Sequence, residues 1–223
     1  MRLELGRPVR CTDEFVGELA DLVVDPVRKR VTHLVVRPKH GVGNGHLVPI
    51  ELATAGDAEI SLSCTAKDVH ELPHAEEYSY LRLDELPVDD PDWDVGVTEV
   101  LALPYYESGG LDGYVEGFVG DVGIVYDRIP KGEVEVRRSS SVITSDGKHA
   151  GEVDGFLVDD DDQITHFVLE RGHLWGRREV TVPIGAVEKV QSDAVVVTLS
   201  VDEIGALPSH KMRRWSLFGG KRD

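Results

Sequence analysis

An internal repeat constrains this chain more than any other feature. Gly17-Glu18-Leu19 leading to Asp25, then Val31-Thr32-His33-Leu34, then Leu47-Val48-Pro49-Ile50, then Leu72-Pro73, form a first series of blocks. Gly151-Glu152-Val153 leading to Asp159, then Ile164-Thr165-His166-Phe167, then Thr181-Val182-Pro183-Ile184, then Leu207-Pro208, repeat it 133 to 135 positions later. Four matched blocks in one order imply a single structural unit used twice. Each unit must bury its own apolar segments in a similar way.

Within a copy the apolar segments are short, rich in Val, Ile and Leu, and divided by turn residues, the pattern of strands and hairpins rather than helices. First strands are expected at Val9-Arg10-Cys11 and Val142-Ile143-Thr144, with turns at Asp13-Glu14 and Ser145-Asp146-Gly147. Third strands are expected over residues 32–36 and 165–169, and fifth strands over 59–63 and 195–199. Thr65 with Asp68, and Ser200 with Glu203, have the spacing of a helix capping box, so a short helix should follow each fifth strand until Pro73 or Pro208 stops it. The predicted fold is all-β. Five short strands in each copy leave edges that closure into a small barrel would remove.

Charge is distributed unevenly. The formal net charge of the 223 residues is −17, and residues 74–135 alone carry 16 acidic against 3 basic side chains. The expected organisation is therefore a first barrel at 1–73, an acidic connector at 74–135, a second barrel at 136–208 and a tail at 209–223. Residues 84–94 read as extended, solvated chain, while parts of the connector should dock on a barrel, because long structureless loops are uncommon. An acidic chain is ill suited to coating DNA, since phosphate contact needs clustered cations. No apolar run approaches the roughly 20 residues of a membrane-spanning helix, and the first residues lack a signal-peptide core. Cys11 and Cys64 match no metal or redox spacing, which suggests reduced thiols in the cytoplasm.

Both copies resemble the PRC-barrel domain, the small barrel in the cytoplasmic part of photosynthetic reaction-centre H subunits and at the end of a ribosome-maturation factor. The resemblance rests on the turn after the first strand, the Gly-Glu-hydrophobic step, the Thr-His strand and the Val-Pro-Ile step. It spans residues 5–73 and 137–208. It implies two PRC-like barrels in tandem and a non-catalytic docking or assembly role. The membrane helix of the H-subunit branch and the different first barrel of the ribosomal branch are both missing, so neither role transfers.

Several groups invite a functional reading. His33 and His166 hold equivalent positions and either form a metal- or pH-responsive pair or pack as half-buried strand residues; the second reading is favoured because no further ligand recurs at metal spacing. Asp159 to Asp162 lack the calcium-loop pattern and read as a solvated hairpin tip. Gly41-Val42-Gly43-Asn44-Gly45 lacks the phosphate-loop forms and reads as a flexible hairpin. Trp175 beside Arg177 and Arg178 has residue types enriched at binding hot spots, and either meets a partner or folds back on its own barrel. In the tail, Arg213, Arg214, Trp215 and Phe218 join cations to apolar anchors and suit an acidic partner or, weakly, an anionic membrane surface. No catalytic signature, cofactor motif or metal-ligand spacing is present. The expectation is a cytoplasmic interaction or scaffold protein, at most peripheral to a membrane, which binds an unidentified protein and self-associates through its barrels. An RNA- or ribosome-processing factor and a small-ligand barrel are the alternatives.

Overall fold

A computed structural model describes residues 1–38, 44–56, 58–81, 91–101, 122–138, 140–172, 178–191 and 193–211. The first copy contributes β1 (Arg2–Glu4), β2 (Pro8–Arg10), β3 (Phe15–Asp25), β4 (Arg30–Arg37), β5 (His46–Pro49), β6 (Ala53–Ala55), β7 (Ile60–Leu62) and α1 (Ala66–His70). The connector holds β8 (Glu76–Leu81), β9 (Trp93–Leu101) and β10 (Val122–Pro130). The second copy contributes β11 (Val134–Arg137), β12 (Ser141–Ile143), β13 (His149–Val158), β14 (Ile164–Arg171), β15 (Arg178–Pro183), β16 (Val187–Val190), β17 (Ala194–Val197) and α2 (Val201–Ala206), followed by β18 (Ser209–Lys211).

The repeat in sequence is a repeat in topology. One sheet runs β5-β4-β3-β2-β7-β6 and another β18-β15-β14-β13-β12-β17-β16, so the two copies share one strand order. Both capping boxes form: Thr65 accepts from the Asp68 amide, Ser200 from the Glu203 amide, and each acid reaches back to its cap. Gly17 and Gly151 explain why each copy needs glycine before the Glu. Their φ values are 153° and 151°, and a Cβ there would sit 2.0 Å from the Arg37 carbonyl oxygen or 2.1 Å from that of Glu170. Only a residue without a side chain allows the neighbouring backbone so close.

Closure differs from the expectation. Among the described residues, hydrogen bonding does not join the edges of either sheet, so neither is a closed barrel. The sheets curl nonetheless, because the chain leaves β5 and reaches β6 through a single 3-10 turn, Ile50–Leu52, and passes from β15 to β16 through Ile184–Ala186. Those turns replace the ladder that would have closed each cylinder.

The two copies also exchange their leading strands. β1 pairs not with its own sheet but with β13, Leu3 opposite Phe156. β11 pairs with β3, Val136 opposite Leu22. The hairpin tips meet reciprocally as well: the Val31 amide donates to the Asp162 carbonyl and the Ile164 amide to that of Lys29. Lys29 and Asp162, at matching positions, both have positive φ. In consequence one apolar cluster runs through both copies, from Leu3, Leu22 and Leu34 to Phe156, Phe167 and Leu169.

The described part of the connector is largely strand. β8, β10 and β9 form a three-stranded antiparallel sheet. A second cluster of Val23, Val35, Leu47, Ala75 and Ile129, with Trp93 packed against it, fastens this sheet to the outer face of the first. Of the stretch expected to be extended and solvated, Trp93 instead lies on β9, half-buried against that cluster, because packing an aromatic ring outweighs the neighbouring charges. Residues 82–90 lie outside the described residues.

Candidate functional site

The hairpin tips serve structure. Asp25 Oδ1 accepts from the amides of Val27 and Arg28, and Asp159 Oδ1 from those of Asp161 and Gln163, so both acids close turns on their own backbone. Asp162 pairs with Arg30 across the copies at 3.2 Å. His33 does not meet His166: its Nδ1 lies 3.1 Å from Thr32 Oγ1 and 3.6 Å from Glu133. Beside these tips an apolar cleft of about 270 Å³ opens between the copies, lined by Val24, Pro26, Phe156, Ile164, Phe167 and Val187.

Of the residues expected to bind a partner, Arg178 is described and begins β15, exposed. Trp175, Arg177, Arg213, Arg214, Trp215 and Phe218 lie outside the described residues, as do residues 41–43 of the glycine-rich loop. Backbone pairing still relates the two segments. β18 runs antiparallel to β15 with Lys211 opposite Arg178, so the chain leaves the Trp175 loop and enters the tail at one corner of the second sheet. A depression of about 260 Å³ at that corner is lined by Arg171, Gly172, Arg178, Val180, Gly205 and Ser209.

A group that spacing could not reveal lies between the first sheet and the connector sheet. Asp127 of β10 and Glu76 of β8 are direct cross-strand partners, a like-charge juxtaposition that is unfavourable alone. Glu135 of β11 points the same way and is 1 % exposed. One carboxylate oxygen from each of these three lies within 4.8 Å of the others. Arg137 donates to Asp127 at 2.6 Å and Glu135 at 3.0 Å. Arg37 holds Glu76 at 2.8 Å and Asp21, on β3, at 3.1 Å. Asp127 Oδ1 and Glu135 Oε1 are buried and accept no hydrogen bond, while Asp21 Oδ2 has the Arg37 ion pair alone. A buried acceptor left so costs about 1–3 kcal/mol, more when charged. Burial, then the charge of Asp21, raises the Glu135 carboxyl to about 7 against the pull of Arg137. Burial likewise raises Asp21, opposed by Arg37. The sequence offered one signal, the alternation Glu135-Val136-Arg137, which sets Glu135 and Arg137 on one face and Val136 in the core.

Two other groupings escaped the sequence reading. The His46 ring lies 4.3 Å from His74 and 5.4 Å from His70, centroid to centroid. Burial lowers His46 from its usual value. Cys11 and Cys64 are distant in sequence yet close in space, since β2 and β7 are parallel neighbours and the Thr12 amide donates to the Cys64 carbonyl. Burial and the proximity of Cys64 raise the Cys11 thiol to about 12.

The described residues thus define a β-rich chain of two equivalent sheets sharing a core, with no helix long and apolar enough to cross a membrane. Comparison with family models matches residues 138–204, the second copy of the repeat, to the PRC-barrel domain. No curated protein matches the chain.

Proposed function

We propose that the chain is a non-catalytic interaction or scaffold protein built from two PRC-type units, and that its docking surface is the basic corner of the second sheet. The carrying observation is the register of β18 on β15, with Lys211 opposite Arg178. It supports a common origin for the Trp175 loop and the tail bearing Arg213, Arg214, Trp215 and Phe218. Arg171 and Arg178 line the depression beside them. In a chain of net charge −17 this concentration of cations and aromatics suits an acidic protein segment. A cytoplasmic setting, at most peripheral to a membrane through the tail, goes with this reading, as do two barrel-like units that self-associate within the chain.

The test is capture of a defined protein by the immobilised chain, repeated with Trp175→Ala and Arg178→Glu. The reading expects capture to weaken in both variants and to fall with salt. Equal capture by all three proteins refutes it. A low-salt shift of RNA that depends on Arg177 and Arg178 would transfer the corner to a nucleic-acid role. The cleft between the copies favours a second reading, a small apolar ligand held by Phe156 and Phe167, because its lining is largely aliphatic and aromatic.

A further inference from the structure

We propose that Glu76, Asp127 and Glu135 form a binding site for one calcium-sized divalent cation, which clamps the connector sheet to the first sheet. All-oxygen donor sets of carboxylates select hard cations. Two oxygens on opposite sides of an ion bound at ~2.4 Å are ~4.8 Å apart, the reach of Ca²⁺; Mg²⁺, bound at ~2.1 Å, requires a tighter set. The donor oxygens lie within 4.8 Å of one another, inside the reach of the larger ion.

Two further observations point to a ligand. Glu135 is 1 % exposed, yet its Oε1 accepts no hydrogen bond while Oε2 is taken by Arg137, and Asp127 is divided in the same manner, with Oδ2 on Arg137 and Oδ1 without a donor. The charge count agrees. Asp21, Glu76, Asp127 and Glu135 face Arg37 and Arg137, so four carboxylates meet two guanidiniums, and with all four ionised two negative charges remain. A divalent cation neutralises that remainder. The donors come from β8, β10 and β11, so binding ties the connector to the strand through which the second copy pairs with the first.

Isothermal titration of CaCl₂ into the full chain at physiological KCl tests this. The expected result is a single site per chain, weakened at least 10-fold by Glu135→Gln and by Glu76→Gln, with Mg²⁺ binding less tightly. Asp160→Asn with Asp161→Asn, on the exposed hairpin tip, should leave the site unchanged and controls for diffuse attraction to an acidic protein. Hydrogen exchange supplies a second readout: Ca²⁺ should slow exchange in β10 of the wild type and not of Glu135→Gln. Neutral glutamine in place of a buried carboxylate lightens the electrostatic burden, so the variants should fold in EDTA. Absence of saturable binding, equal affinity in Glu135→Gln, or loss of the site in the tip variant overturns the proposal.

Discussion

Leu3→Ala should loosen the second copy, although Leu3 belongs to the first. Its side chain is 0 % exposed and its strand lies opposite Phe156. Fully buried Leu→Ala replacements cost about 2–5 kcal/mol, depending on how far the site collapses. The surrounding strands are fixed by their ladders and leave little room to collapse, so a loss of about 3 kcal/mol is expected. The readout follows from the hydrogen bonds. The Val158 amide donates to the Met1 carbonyl at 2.9 Å, and the Leu5 amide to the Asp154 carbonyl at 2.8 Å. Detachment of β1 therefore uncovers Val158. Exchange of that amide, followed by NMR under native conditions, should accelerate about 100-fold if the whole loss appears as opening of β1. Val136→Ala is the mirror experiment and should instead expose β3, where Val136 lies opposite Leu22. Unchanged protection at Val158 in Leu3→Ala, with losses confined to β3 and β4, would refute the strand exchange.

Gly151→Ala should destabilise by more than about 1 kcal/mol in urea unfolding, since its backbone conformation excludes a side chain; the new Cβ would lie 2.1 Å from the Glu170 carbonyl oxygen. A neutral outcome would show that β13 and β14 separate there. Asp154 is raised to about 6 by burial, then by Glu179, Glu170 and Glu4, with Arg138 opposing. The folded state therefore holds its proton more tightly than the unfolded chain, and stability falls as pH rises from about 4 through 6. Asp154→Asn should melt higher than wild type at neutral pH and lose that advantage toward about pH 4; an advantage independent of pH would sink the assignment. Cys11, with its thiol near 12, should resist iodoacetamide at mildly alkaline pH in the native chain and react in urea. Native labelling at the unfolded rate would contradict its burial.

Local features were legible in the sequence. Thr65, Asp68, Ser200 and Glu203 announced both helices, and the hairpin tip at Asp159 to Asp162 was placed correctly, because each depends on residues within four positions. The mostly-β character followed from the same short-range pattern. Partner choice was not legible. Nothing in Arg2-Leu3-Glu4 says that it pairs with β13 rather than β3, since its inward Leu fits either sheet. The carboxylate group was hidden for a similar reason. Asp21, Glu76, Asp127 and Glu135 come from four strands, and an abundance of acids conceals any particular set. The connector's charge gave no sign of the group either, because Asp127 and Glu76 pair with arginines rather than face water.

The asymmetry between the copies shows where each acquires its own role. Leu47, buried under the connector sheet, corresponds to Thr181 in the second copy. Val23 is fully buried, whereas its counterpart Leu157 is half-buried. The first sheet therefore carries the apolar outer face that a second layer needs, and the second sheet lacks part of it. Charge diverges in the same region. Glu135 and Arg137 correspond to Arg2 and Glu4, so the sign is reversed on both exchanged strands, and Arg37 corresponds to Glu170. An acid-rich connector can settle beside Arg37 and Arg137, whereas beside Glu4, Asp154 and Glu170 it would meet its own charge. Apolar area and charge thus direct the described connector strands, β8 to β10, to the first copy. A duplication that began with two equivalent faces has come to use them differently, one for internal closure and the other, on the reading proposed above, for contact with a partner.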